Sequence, residues 1–314
     1  MTVLRAGPAL LLAALLLGGC GSGGAGPTAR TGPVSVATTP GARTAAFTPL
    51  TPARTPTALT RRLVAAERVI HRRDAPAPLL QGAAFEAQLR YRQLARTPGW
   101  IPRVVAALPR RYRAEARLQV DARHSLRSVL TTVSDQVPAW RIRRPAPLAR
   151  LVAAYRQGQR RYGVPWQVLA AVNLVETTFG KVDGLSTAGA QGPMQFMPAT
   201  WASYGTGDVR DPHAAILGAA RYLAASGGAE GTAGVRQALL AYNDAVGYVD
   251  GIEDYRRIIT EDPAWLGAFY RWQVVYVSTA GDLWLPEGYL RRSPEPASSY
   301  AARYPRRHLV TTTR

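Results

Sequence analysis

Gly163-Val164-Pro165-Trp166-Gln167-Val168-Leu169-Ala170-Ala171-Val172-Asn173-Leu174-Val175-Glu176-Thr177-Thr178-Phe179-Gly180 is the stretch that decides the reading of this 314-residue chain. Gly163 suits the end of one helix, and Pro165 suits the first position of the next, where a missing N–H costs nothing. Trp166, Leu169, Ala170, Val172 and Asn173 follow. Because Gly180 favours a left-handed cap, the spacing predicts a helix that ends near Phe179-Gly180. Glu176 then falls in the last turn, with Val172 four residues before it and Phe179 three residues after it on the same face. An apolar setting and the negative end of the helix dipole both disfavour its ionisation. A carboxyl that keeps its proton near neutral pH is what a general acid requires. Taken alone, a Glu in a last helical turn is more often a solvated surface residue.

Downstream, residues 180–197 are rich in Gly, Ser and Thr and must loop before Pro198 opens the next helix. Asp211-Pro212 is a cap and first-turn pair, leading through Ala215, Ile216, Ala219, Ala220 and Leu223 to a stop at Gly227. A further helix fits 235–242. Residues 273–278 and 283–285 flank Thr279-Ala280-Gly281-Asp282 and resemble two short strands around a turn. Upstream, Leu148, Leu151, Val152 and Tyr155 recur at helical spacing. Thr60 is a candidate cap for a helix through Leu63, Val64, Ala66 and Ile70. Further helices fit 85–94, 104–108 and 112–129, separated by Pro76, Pro78, Pro98, Pro102 and Pro109. No repeat of solenoid period occurs.

Three segments give Glu176 its context. They are Val175-Glu176-Thr177-Thr178-Phe179-Gly180, then Ser186-Thr187-Ala188-Gly189-Ala190-Gln191-Gly192-Pro193-Met194-Gln195-Phe196-Met197-Pro198-Ala199-Thr200, then Ala241-Tyr242-Asn243. In this order they resemble the three signature motifs of SLT-type lytic transglycosylases, over roughly the middle third of the chain. The resemblance implies a mainly α protein: a lysozyme-like helical catalytic domain, here with an N-terminal helical accessory block and a small C-terminal β-hairpin. It also implies that Glu176 is the single catalytic acid/base. Glu176 would protonate the glycosidic oxygen and then take the proton of the muramyl C6 hydroxyl, leaving a 1,6-anhydro sugar. By the same resemblance Ser186 hydrogen-bonds substrate or Glu176, Gln195 and Met197 contact sugar, and Tyr242 and Asn243 position the acetamido group or Glu176. Gly189 and Gly192 would let the loop pack closely. Residue by residue the alternatives are plain ones, core for Met197 and Tyr242 and loop or cap for Gln195 and Asn243.

Most glycosidases use two carboxylates, whereas substrate-assisted ones use the sugar's own N-acetyl group in place of the second. The family resembled here works in the second way. Asp183, Asp208, Asp211 and Asp244 remain possible second carboxylates, and one of them facing Glu176 would favour simple hydrolysis. The chain also departs from the family pattern. Thr177 stands where many members place Ser, and Asn243 is followed by Asp244-Ala245-Val246 rather than a Gly/Pro-rich stretch. The competing readings are a hydrolytic muramidase, a glycan-binding lipoprotein without turnover, and a nucleic-acid-binding protein built on the basic residues.

The formal charge is +19, and all but one of the basic residues are Arg, a bias that a GC-rich genome partly explains. Residues 59–150 hold 19 Arg against 6 acids, while residues 151–260 hold 9 basic against 9 acidic. The two blocks therefore read as different units. The Arg-rich helical block suits nucleic acid, anionic lipid or the anionic polymers of a cell wall, the three together about as well as it suits a solvated face. Residues 1–19, with Arg5, the apolar stretch 9–17 and Leu17-Gly18-Gly19-Cys20, read as a lipoprotein-type signal peptide. Cys20 is the only cysteine and resembles the acylated residue of a lipobox. The expected organisation is a signal over 1–19, a disordered tether over 20–58, an accessory region over 59–145, a transglycosylase domain over 146–275, and a hairpin and tail over 276–314. The expected partners are peptidoglycan glycan strands and, through the lipid anchor, the membrane at the outer face of the cytoplasmic membrane, with no nucleic acid. His71, His124, His213 and His308 show no ligand spacing, so no metal is expected, and no phosphate-binding loop or cofactor motif is present.

Overall fold

The computed structural model describes residues 51–309. The signal peptide, Cys20 and most of the expected tether lie outside the described residues. The fold is mainly α and lysozyme-like, as expected, with a small sheet near the C-terminus. Its first helices are α1 (Pro56–Ile70), α2 (Ala77–Ala95), α3 (Ile101–Ala107) and α4 (Arg110–Ser128). The cap of α1 is Thr55, whose hydroxyl accepts the Ala58 N–H at 3.1 Å, with Pro56 at the first helical position. Thr60, the expected cap, lies inside the helix and donates to the Pro56 carbonyl. Chain order thus starts five residues earlier than the apolar spacing implied, and Ala53 is already buried.

Two-residue strands β1 (Gln136–Val137) and β2 (Arg141–Ile142) lead to α5 (Leu148–Tyr162) and α6 (Trp166–Thr177). Gly163 ends α5 in the left-handed conformation, as expected. Every residue of α6 from Val168 to Thr177 is buried, which follows from a run that is apolar all round apart from Asn173, Glu176 and Thr177. It is the central helix of the domain, packed against α5 and against the helices over 212–225 and 246–261. Then come β3 (Val182–Asp183), α7 (Pro198–Tyr204), α8 (Pro212–Ala225) and α9 (Gly231–Tyr242). Pro198 opens α7, and Asp211 caps α8 by accepting the Ala214 N–H at 2.7 Å.

Three helices were not anticipated: α10 (Val246–Glu261), α11 (Ala264–Arg271) and α12 (Ala297–Arg303). The hairpin is β4 (Val274–Ser278) with β5 (Gly281–Leu285), antiparallel, with Val274 opposite Leu285 and Ser278 opposite Gly281. Strand β7 (His308–Leu309) adds a third strand on β5, while β6 (Glu295–Pro296) pairs with β1, and β2 pairs with β3.

The accessory and catalytic blocks share one apolar core, which runs from Ala53 through α6 to Val277. Helices α4 and α10 meet most closely where Gly247 and Gly251 remove side chains. A Cβ on Gly247 would collide with the Ser125 carbonyl, and one on Gly251 would lie 2.6 Å from Leu126 Cγ. Charge composition separated these blocks because it reports surface; shared burial is set by the apolar faces, which it does not see. Many of the Arg residues also turn inward rather than forming a solvated face. Arg62 pairs with buried Glu86, and Arg92 and Arg96 both bond the fully buried carboxylate of Asp282 on β5. Among the described residues no helix is long and apolar enough to cross a membrane.

Candidate active site

Helix α6 does not stop at Gly180 as expected. The Thr178 N–H bonds the Leu174 carbonyl and the Phe179 N–H reaches back to Asn173, a Schellman-type stop that begins two residues early. Thr178, Phe179 and Gly180 are all left-handed, at φ 52°, 64° and 81°. For a β-branched residue such as Thr178 this conformation costs about 1 kcal/mol. It also turns Phe179 off the helix face on which Glu176 was expected to meet it. Phe179 is buried and packs near the Tyr270 ring, so the apolar setting survives by another route.

The motif loop is tied to α6 at one carbonyl. Thr177 Oγ1 donates to Pro193 O at 2.6 Å and accepts the Gly180 N–H at 2.9 Å. Asn173 Nδ2 donates to the same carbonyl at 2.8 Å, while its Oδ1 accepts the Tyr155 hydroxyl. Thr177 therefore supplies the hydroxyl that Ser supplies in many members of the resembled family. Tyr242, at the end of α9, donates to Met194 O at 2.6 Å. Ser186 Oγ accepts the Ala190 N–H at 2.9 Å and so folds its own loop. Gly192 is left-handed, and a Cβ there would strike the Val209 carbonyl. Gln195 is left-handed too, its Nε2 donating to Gly192 O while its buried Oε1 has no partner among the described residues. Met197 is half-buried at the cap of α7, and Asn243 is buried at the end of α9.

Glu176 is only 1% exposed. Burial pushes its pKa up to about 8, against the smaller opposing effect of a hydrogen bond from Tyr248. That hydroxyl donates to Oε1 at 2.7 Å, and Oε2 has no partner among the described residues. No carboxylate contributes to the rise. Of the acids considered as second carboxylates, Asp183 lies 3.9 Å from Arg143, Asp208 accepts the Arg210 N–H, Asp211 caps α8, and Asp244 is exposed. The arrangement is one protonated, half-satisfied carboxyl held by a tyrosine, able to give a proton and take one back.

Tyr248 was not singled out from the sequence. It lies on α10, and the signal that could have found it is the helical stripe Tyr248, Ile252, Tyr255, Ile259, all buried. Burial and the neighbouring Glu176 hold its phenol well above the usual range, so it acts as a donor.

One group of metal-ligating types does come together, contrary to what the scattered histidines implied. Ligand atoms of Glu67, His71 and Glu115 lie within 4.8 Å of one another. Both ring nitrogens of His71 are engaged, however, at 2.7 Å with Glu67 O and at 2.5 Å with Asp262 Oδ2. The His71–Asp262 bond ties the end of α1 to the end of α10.

Residues 153–257 match the family model of the transglycosylase SLT domain. The chain carries an SLT domain. The match begins in α5, contains all three motifs and ends in α10, so it takes in Glu176 and Tyr248 together. The SLT family cleaves peptidoglycan, and its glycan strands are the substrate class that follows. Comparison with curated proteins and with solved structures gives no match.

Proposed function

We propose that this protein is a lytic transglycosylase that breaks the MurNAc–GlcNAc β-1,4 bond of peptidoglycan and forms 1,6-anhydro-MurNAc, with Glu176 as its only acid/base. The observation that carries the proposal is a buried carboxyl with a pKa of about 8, bonded at Oε1 and unpartnered at Oε2. The Oε2 proton passes to the glycosidic oxygen as the C1–O bond breaks. The substrate's acetamido group stabilises the cation, as the family resemblance implies. The resulting carboxylate, steadied by the Tyr248 hydroxyl, then takes the C6 hydroxyl proton while the C6 oxygen bonds C1. Glu176 ends protonated as it began, and no water is consumed.

Ser186, Gln195, Met197, Tyr242 and Asn243 are proposed to bind substrate. Gln195 has the clearest structural support, since its buried Oε1 is an unused acceptor. The lack of any carboxylate acting on Glu176 favours the acetamido-assisted route over a muramidase reaction. Digestion in heavy-oxygen water separates the two. Products of transglycosylation carry no solvent oxygen at the new terminus, and incorporation of it there would replace this proposal with hydrolysis.

We further propose that the protein is an exported lipoprotein acylated at Cys20, on the strength of the apolar stretch and Leu17-Gly18-Gly19-Cys20. Labelled palmitate should enter the wild type and not Cys20→Ala; equal labelling of both removes the anchor from that residue.

A further inference from the structure

The Arg-rich block contains a cavity that the cleavage reaction does not use. It lies between α2, α4 and α10 beside β4, has a volume of about 80 Å³, and is lined by Arg92, Arg96, Arg123, His124 and Arg127 over a floor that includes Trp272. Its cationic side chains differ in how they are satisfied. Arg92 and Arg96 share the buried carboxylate of Asp282, at 2.8 Å and 2.6 Å. Arg123 and Arg127 have no carboxylate partner among the described residues. Arg123 Nη1 donates to the Gln119 carbonyl and side chain, its guanidinium stacks 4.7 Å from the centre of the Trp272 ring, and its buried Nη2 has no partner. Arg127 is exposed and lines the cavity, where burial and the charges of Arg96 and Arg92 depress its pKa against the opposing charge of Asp282.

Two guanidinium groups outside any ion pair among the described residues therefore line one small cavity whose other two cations are already neutralised in part. Holding such charges together is unfavourable unless an anion is bound. A carboxylate would supply one negative charge and a planar pair of oxygens. A phosphate ester supplies up to two charges and three acceptor oxygens, which matches two guanidinium groups, Arg123 and Arg127, that are in no ion pair among the described residues. The Trp272, Tyr255 and Leu126 side chains lining the same cavity leave an apolar wall for the carbon part of the ester.

We propose that this cavity is a binding site for a phosphate ester group, separate from the glycan-cleaving site and independent of its chemistry. The basic block then holds one defined anion rather than a diffuse anionic surface. Tyr255, which lines the cavity, stands two turns along α10 from Tyr248, so one helix borders both sites.

The test is calorimetric titration of the full chain with glycerol 3-phosphate, with inorganic phosphate, and with acetate as the carboxylate control. The phosphates should bind at millimolar concentrations and acetate should not. Arg127→Gln should weaken binding about tenfold through loss of one charge-assisted contact. Ala95→Glu, which puts a carboxylate at the cavity wall, should abolish it. Arg110→Gln, at the exposed start of α4 and away from the cavity, should leave it unchanged. Circular dichroism of each variant checks that the helices are intact, and two independent variants keep the test decisive if one misfolds. Absence of phosphate binding, or an equal loss in Arg110→Gln and Arg127→Gln, overturns the proposal. Phosphatidylglycerol vesicles give the source: an Arg127-dependent gain in vesicle binding assigns a lipid headgroup, and its absence beside glycerol 3-phosphate binding assigns a soluble or polymer-borne phosphate.

Discussion

In the proposed reaction Glu176 starts protonated, and its folded pKa of about 8 places most of the population in that form at neutral pH. The rate at limiting substrate should therefore fall as pH rises through about 8, and a pH–rate profile measures it. Tyr248→Phe removes the one hydrogen bond that lowers this pKa. The alkaline limb should move to higher pH while the maximal rate drops about tenfold through loss of positioning; a limb that stays in place removes Tyr248 from contact with the acid. The same shift bears on stability. Because the folded pKa lies above the ordinary value of 4.5, the stability associated with this carboxyl is full below pH 4.5 and is lost as pH rises through about 8. Glu176→Gln should accordingly gain about 4 kcal/mol over the wild type at pH 8 and little at pH 4, read from denaturant midpoints. At this scale the raised pKa of a carboxyl in an apolar setting was legible, because Glu176 lies in the last turn of an apolar helix. Tyr248 was not, because 72 positions separate it from Glu176 and a tyrosine in an apolar stripe resembles ordinary core.

The elements around the site were legible where a capping residue marks an end. Gly163, Pro198 and Asp211 all did so, and Pro165 marked the start of α6 as its cap rather than, as expected, its first helical residue. They failed where the ending is made by tertiary bonds. Helix α6 stops at Thr177 because Thr177 and Asn173 converge on Pro193 O, a contact across 16 and 20 residues that no local pattern encodes. Helix α10 was missed because no cap residue precedes it; its position is fixed by the close approach of Gly247 and Gly251 to α4. Thr177→Val keeps the shape and removes the hydroxyl, leaving the Gly180 N–H without its acceptor and weakening the hold on the loop. It should cost about 2 kcal/mol in chemical denaturation and lower activity with it. Thr177→Ser keeps the hydroxyl and should retain both, and a destabilised Ser variant would mean that the methyl group, not the bond, is what matters.

Across the whole molecule the basic and neutral blocks form one core, and the C-terminal sheet is fastened to it by charge. Asp282 on β5 is fully buried and held by Arg92 and Arg96 on α2. Burial alone would raise its pKa, yet the two guanidinium groups bring it below the usual carboxylate range. Asp282→Asn leaves two cations facing an uncharged group and should destabilise the fold by about 3 kcal/mol, measured by thermal or denaturant unfolding; an unchanged midpoint would show that the sheet does not depend on the pair. The mainly helical architecture and the hairpin were readable from periodicity and turn residues. The union of the two blocks was not, because net charge describes what faces water, while the Arg residues of α2 and α4 that matter most face inward.

The central claim is that Glu176 alone drives formation of an anhydro sugar. It is tested most directly by digesting purified peptidoglycan with wild type and with Glu176→Gln and weighing the released muropeptides by mass spectrometry. Anhydro-terminated products from the wild type, absent with a folded Glu176→Gln, are the predicted result. Reducing-end products from the wild type, or anhydro products from the variant, would contradict it.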